Sequence, residues 1–117
     1  MSTPDDGLAQ GLVVEVNGRP RRLLDPQARP LDAVPSVTPV PLAPRMLAGL
    51  AQVDGEVLPV LWPGEGLRAA AFAVLTETSL GRVLLLCGRI LPEELGDSAE
   101  PLSLDPLVEA IRHAVRA

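Results

Sequence analysis

A mostly antiparallel β domain closed by one C-terminal helix is what this sequence predicts, and three observations carry that reading. Short apolar runs are separated by Asn-Gly, Asp-Gly and proline-rich stretches. Asn17-Gly18 lies between two extended patterns, and Asp105-Pro106 opens the one stretch with sustained helical spacing. At 117 residues the chain is long enough to bury one core without disulfides or metal. Hydrophobic residues at 47% and charged residues at 21% place it among globular proteins. Phe72 and Trp62 are the only aromatic residues, so Leu, Val and Ala must fill the interior.

Residues 1–10 carry Pro4, Asp5, Asp6 and Gly7 without apolar periodicity and read as a flexible leader, leaving 11–117 as a single domain. Leu12, Val14 and Val16 alternate with Glu15 as a half-buried strand does. Asn17-Gly18 then predicts a tight hairpin, because both residues tolerate the positive φ of a type I′ turn. Arg19 to Asp25 forms the return strand, whose Arg19, Arg21 and Arg22 read as a solvated edge rather than an anion site.

Asp25 to Pro44 is crowded with prolines, which exclude helix. Such a tract can serve as a ligand for aromatic-lined grooves. The interleaved Leu31, Val34, Val37, Val40 and Leu42 favour a segment lying on its own core. Pro44 and Gly49 bracket a short predicted helix over 44–50, with Met46, Leu47 and Leu50 on its buried side. Asp54-Gly55 turns the chain into a strand, Glu56 to Trp62, apolar on both faces. Pro59 within it implies an edge position or a bulge.

The loop Pro63-Gly64-Glu65-Gly66 lacks the glycine spacing of a phosphate-binding fingerprint. Ala70 to Thr78 places Phe72, Val74 and Thr76 on one face. Ser79-Leu80-Gly81 turns into Val83 to Cys87, a strand covered on both sides. Pro92 to Pro101 reads as a solvated acidic loop, since its carboxylates lack the oxygen-ligand order of a calcium loop. A helix over 105–116 follows, in which Leu104, Leu107, Val108, Ile111 and Val115 recur at helical spacing and Arg112, His113 and Arg116 suit the dipole of the last turns. Short strands in this order tend to close into small barrels.

The chemistry offered is sparse. A formal net charge of −5 opposes nucleic-acid binding, which relies on clustered basic groups. One cysteine, Cys87, sits in an apolar strand, and one histidine, His113, sits on a helix turn; nothing in their spacing pairs them as nucleophile and base or as zinc ligands. The paired carboxylates Asp5-Asp6 and Glu93-Glu94 lie in segments that read as solvated, unlike a catalytic acid in an apolar cleft. No catalytic residue, metal ligand or cofactor is assigned. The polar, acidic start lacks the order of a secretory signal, and no apolar run reaches the roughly 20 residues of a membrane span. The predicted location is cytoplasmic.

The stretch TPVPLAPRMLAGLAQVDGEVLPV resembles the CheW family of chemotaxis coupling proteins, through Val40-Pro41, Ala43-Pro44, Gly49, Gly55 and Pro59-Val60. Leu31 to Val34, Gly81-Arg82-Val83 and Leu102 to Val108 resemble further family segments. The resemblance implies two small SH3-like β-barrels side by side. It implies a non-enzymatic adaptor at receptor arrays, one that binds chemoreceptor cytoplasmic tips and either couples to or has lost the CheA-type kinase's regulatory domain, or pairs with another CheW-like protein. It implies a receptor groove formed by Val34, Val53, Asp54, Gly55 and Trp62, with Pro41, Pro44, Gly49, Pro59 and Val60 as structural positions.

Two departures stand out: Asp54 replaces the family's usual Arg, and Trp62 replaces its usual Asp. Between Leu91 and Leu102 there is room for a loop only, which predicts that the second barrel is incomplete. Such a shortened member resembles the second coupling protein of some chemosensory systems, including the FrzB-like protein of the myxobacterial Frz system. The alternative is a stand-alone β-barrel regulatory or ligand-binding subunit outside chemotaxis, and an enzyme is a third reading.

Overall fold

The computed structural model describes residues 12–64, 71–78, 81–92, 95 and 98–116. The expected leader, the Glu65-Gly66 and Ser79-Leu80 positions, and the carboxylates Glu93, Glu94 and Asp97 lie outside the described residues, as do the side chains of Val115 and Arg116.

Among the described residues nine strands and one helix follow in order: β1 Val13–Val16, β2 Arg19–Leu23, β3 Arg29–Pro30, β4 Leu47–Val53, β5 Glu56–Leu61, β6 Phe72–Thr78, β7 Gly81–Cys87, β8 Arg89–Leu91, β9 Glu100–Leu102 and α1 Asp105–Arg116. They build two sheets, one ordered β8-β1-β2-β9 and one ordered β3-β6-β7-β5-β4. The fold is mostly β with one C-terminal helix, as the sequence predicts.

The β1–β2 hairpin turns on Asn17 and Gly18, at φ 56° and 77°, with Val16 opposite Arg19. Asp54 and Gly55, at φ 52° and 83°, do the same between β4 and β5. Helix α1 begins where Asp105 supplies an acidic first turn, and Val108 N–H donates to the Leu104 carbonyl at 3.0 Å. Leu104, just before the helix, and its own Ile111 enter the core, and Leu107 and Val108 pack against it.

Two apolar clusters result. The first joins Val14, Val16 and Leu23 to Leu61, Val74, Val83, Leu85 and Cys87 and to the helix. The second, inside the five-stranded sheet, joins Ala51, Val53, Leu58, Val60, Trp62, Ala73, Leu75, Leu84 and Leu86. Strand alternation divides β7 between them: Val83, Leu85 and Cys87 serve one, and Leu84 and Leu86 the other.

Residues 29–38 form a strap across the second sheet. At one edge β3 pairs with β6, and Leu31 N–H donates to the Ala73 carbonyl at 2.8 Å. At the other edge Thr38 and Leu50 exchange two backbone hydrogen bonds, at 2.8 and 2.9 Å. Neither ladder returns to its own first strand among the described residues, so closed barrels give way to two sheets, one of them bridged edge to edge by the strap.

Several expectations are corrected. No helix occupies 44–50. Leu47 N–H donates to the Pro44 carbonyl in a single turn, and the chain then extends as β4, with Leu47, Gly49, Ala51 and Val53 buried at period two. Small inward residues hid that period, and a Cβ at Gly49 (φ 154°) would run into the Thr38 carbonyl oxygen. Pro59 lies on an internal strand rather than an edge, beside a bulge where the β4 register shifts between Leu47 and Gly49, opposite Leu61 and Val60. It is opposite Leu50, whose N–H and carbonyl both turn to Thr38, so that pair makes no ladder bonds; the donor missing at Pro59 faces the β7 side, where pairing begins only at Val60.

The arginines of β2 are not on an edge, because β9 pairs in parallel beside them and Arg21 donates to the Pro101 carbonyl at 3.1 Å. Of the five interleaved residues of the proline tract, Leu31, Val37 and Val40 pack on the clusters, while Val34 is exposed. Leu42 is fully exposed at φ 59° in a turn closed by Ala43 N–H to the Val40 carbonyl, with Pro41 before it. The stretch between Leu91 and Leu102 is not loop alone: β9 closes it and β8 precedes it, and both join β1 and β2. The four-stranded first sheet is therefore the one with two uncovered edges among the described residues.

Candidate partner-binding site

The Asp54-Gly55 turn stands at one end of the second sheet with charged side chains on both flanks. Asp54 meets Arg29 of β3 at 3.6 Å, and Glu56 meets Arg82 of β7 at 3.6 Å. All four groups are largely exposed, so each pair contributes at most about 1 kcal/mol. Asp54 fits its surroundings, since an arginine there would face Arg29 and lose this contact.

Of the five groove candidates, Val53, Asp54 and Gly55 are consecutive at the hairpin end, and Trp62 stands apart from them beyond the far end of β5. Asp54 and Gly55 are exposed at the tip, and Val34 is 39% exposed on the strap. Val53 belongs to the second cluster. Trp62 is only 5% exposed, its ring lies against Gly64, and its indole Nε1 is buried with no hydrogen-bond partner. At about 3.3 Å per residue along β5, the indole stands roughly 20 Å from the turn. Trp62 is thus core; Gly49 admits Thr38, Pro41 precedes Leu42 in a turn, the Pro44 carbonyl accepts from Leu47 N–H, Pro59 stands opposite Leu50, and Val60 is fully buried.

Sequence reasoning missed an apolar patch on the outer face of the same hairpin. Leu50 stands opposite Pro59, and Val57, two residues on, is 62% exposed. Parity held the signal: with Leu58 and Val60 inward, Val57 and Pro59 must face the other way. It also missed Asp25, which ties the sheets together. The Asp25 carboxylate accepts from Gln27 N–H at 2.9 Å, Glu77 N–H at 2.9 Å and Thr76 Oγ1 at 3.1 Å. Partial burial raises its pKa, but the three hydrogen bonds outweigh that and hold it below the usual carboxylate value. Two polar clefts of about 200 Å³ flank this tie, one lined by Gln27, Arg29 and Arg82, the other by Leu24, Ser103 and Asp105.

Among the described residues the one thiol and the one imidazole are not assembled into a nucleophilic site. Cys87 is fully buried, and burial, with the Glu15 charge second, pushes its thiol up to about 11. His113 is exposed on α1, with Nε2 3.9 Å from Glu109 Oε1. A buried thiol and a solvent-facing imidazole cannot form a dyad. Among the described residues no group of three or more His, Cys, Asp and Glu could hold a metal ion, and no helix is long and apolar enough to cross a membrane.

No family model and no curated protein sequence matches the chain. Among solved structures it is similar to the scaffolding protein TtCheW from Thermoanaerobacter tengcongensis, with a TM-score of 0.51 and 16% sequence identity. The likeness covers 71% of this chain and 64% of that one, so the chain spans less than two thirds of that protein's length. The fold is CheW-like.

Proposed function

We propose that the protein is a non-enzymatic adaptor of a bacterial chemosensory array, located in the cytoplasm and bound to chemoreceptor cytoplasmic tips. The observation that carries the reading is the CheW-like two-sheet fold, in a chain whose family-like residues sit at its structural joints. Gly49 lies under Thr38, and Pro41 and Pro44 shape the approach to β4. TtCheW is a scaffolding protein, which agrees with this role.

The receptor-facing surface in this reading is the exposed end of the β4–β5 hairpin, Asp54 and Gly55, together with the exposed Val34 of the strap; Val53 and Trp62 support it from inside. Asp54 gives that surface the opposite charge to the arginine usual in the resembled family, so its partner differs in charge there as well. Kinase coupling is weakened or lost in this reading.

The test is to mix the purified protein separately with a receptor cytoplasmic tip and with a CheA-type regulatory domain, and to read complex formation by calorimetry. Receptor binding that Asp54→Arg reduces at least tenfold, with weak or absent kinase binding, is the expected result. Failure to bind any receptor tip, or tight binding to the kinase domain alone, overturns it.

A further inference from the structure

The strap holds the two edges of the second sheet unequally. On the β6 side it pairs through Arg29, Pro30 and the Leu31 amide. On the β4 side the hold is the single Thr38–Leu50 bridge, with Val37 packed on the inner cluster. Between these points Asp32, Ala33, Val34 and Ser36 are exposed, and no hydrogen bond joins residues 32–37 to another described residue. Pro35 and Pro39 flank the bridge, and each fixes its own φ and restricts the residue before it.

The β4 edge itself is shaped for more. At Gly49 the missing Cβ leaves a notch into which the Thr38 carbonyl fits. Gln52 lies two residues beyond Leu50 and, by the alternation of an antiparallel strand, turns its N–H and carbonyl to the same outer side, where no strap residue pairs with them.

We infer that the outer edge of β4 is a strand-addition site that the strap covers in the free protein, and that its occupant is an extended, proline-free, β-branched segment of a partner protein. The strap itself states the occupant's chemistry. A β-branched residue fills the place of Val37 against the second cluster, a backbone passes through the Gly49 notch, and a residue two before the bridge makes the ladder bonds to Gln52 that Ser36 does not. Displacement exchanges one bridge for a longer ladder on the same edge.

The test uses the full chain and the acetylated peptide Lys-Thr-Val-Ser-Val-Thr-Val-Thr-Lys. Thr38→Pro removes the donor to the Leu50 carbonyl. In that variant the Leu50 amide is expected to exchange at least tenfold faster, while the Ala51 amide, bonded toward Leu58, keeps its protection. The peptide should bind this variant at least tenfold more tightly than the unaltered protein, and adding Gly49→Ala should abolish that binding by filling the notch.

Equal peptide binding with and without Gly49→Ala overturns the inference, as does dimerisation of Thr38→Pro without peptide uptake, which would make a second copy the occupant. If Thr38→Pro does not fold, amide exchange of the unaltered protein decides. Faster opening at Leu50 than at Ala51 supports a displaceable strap, and equal opening overturns it.

Discussion

The two sheets differ in how the chain supplies them. The second sheet and its strap come from one continuous span, Arg29 to Cys87, and its edges are joined by its own proline-rich segment. The first begins with a local hairpin but gains its flanks from the far end of the chain, where Ile90 pairs with Val14 and Pro101 with Arg22. Bringing those flanks back closes long loops, an entropy cost that only completed pairing offsets. The second sheet can therefore order on local information, whereas the first requires the whole chain.

The sharpest test of this contrast lies in β7, which both clusters share. Leu84→Ala and Leu85→Ala each remove a fully buried side chain, one from each cluster, and should each cost about 2–5 kcal/mol in chemical denaturation. Both variants should unfold in one transition. A biphasic transition in either would separate the sheets into independent units. Gly49→Ala comes next, at about 1–3 kcal/mol, because the new methyl must push the strap from β4. A cost no larger than that of an exposed turn substitution would mean the strap yields freely.

Asp25→Asn probes the tie between the sheets and should cost about 1–2 kcal/mol at neutral pH. The folded pKa of Asp25 is depressed, so its contribution is present above the unfolded value near 3.8 and is lost as pH falls through the folded value. Denaturation from pH 7 to pH 2 should thus converge for the variant and the unaltered protein; a constant gap would assign the role of Asp25 to packing. Smallest is Asp54→Asn, which removes one exposed ion pair while keeping a residue that tolerates φ 52°, and should change stability by less than about 0.5 kcal/mol.

Elements whose signals are local were legible in the sequence. Asn17-Gly18 fixed a hairpin by its φ requirement, and Asp105-Pro106 with five spaced aliphatics gave a helix with the right ends. The segment 44–50 was misread because Met-Leu-Ala-Gly-Leu-Ala satisfies helix propensity. Its true period of two is carried by Gly49 and Ala51, residues too small to register as core. Strands β8 and β9, three residues each, are invisible to periodicity because pairing with a distant hairpin defines them. Within the site, Asp54-Gly55 was legible as a turn, but the burial of Trp62 depended on which face of β5 the second cluster occupies.

Strand β7 also sets how the protein can vary. Val83 through Cys87 are all buried, and neighbouring residues belong to opposite interiors. Inserting or deleting one residue there would send every side chain of the strand into the wrong interior at once. Loops at either end of the sheets are free to change length over generations, while this strand can drift only by substitution, with each interior accepting replacements on alternate positions.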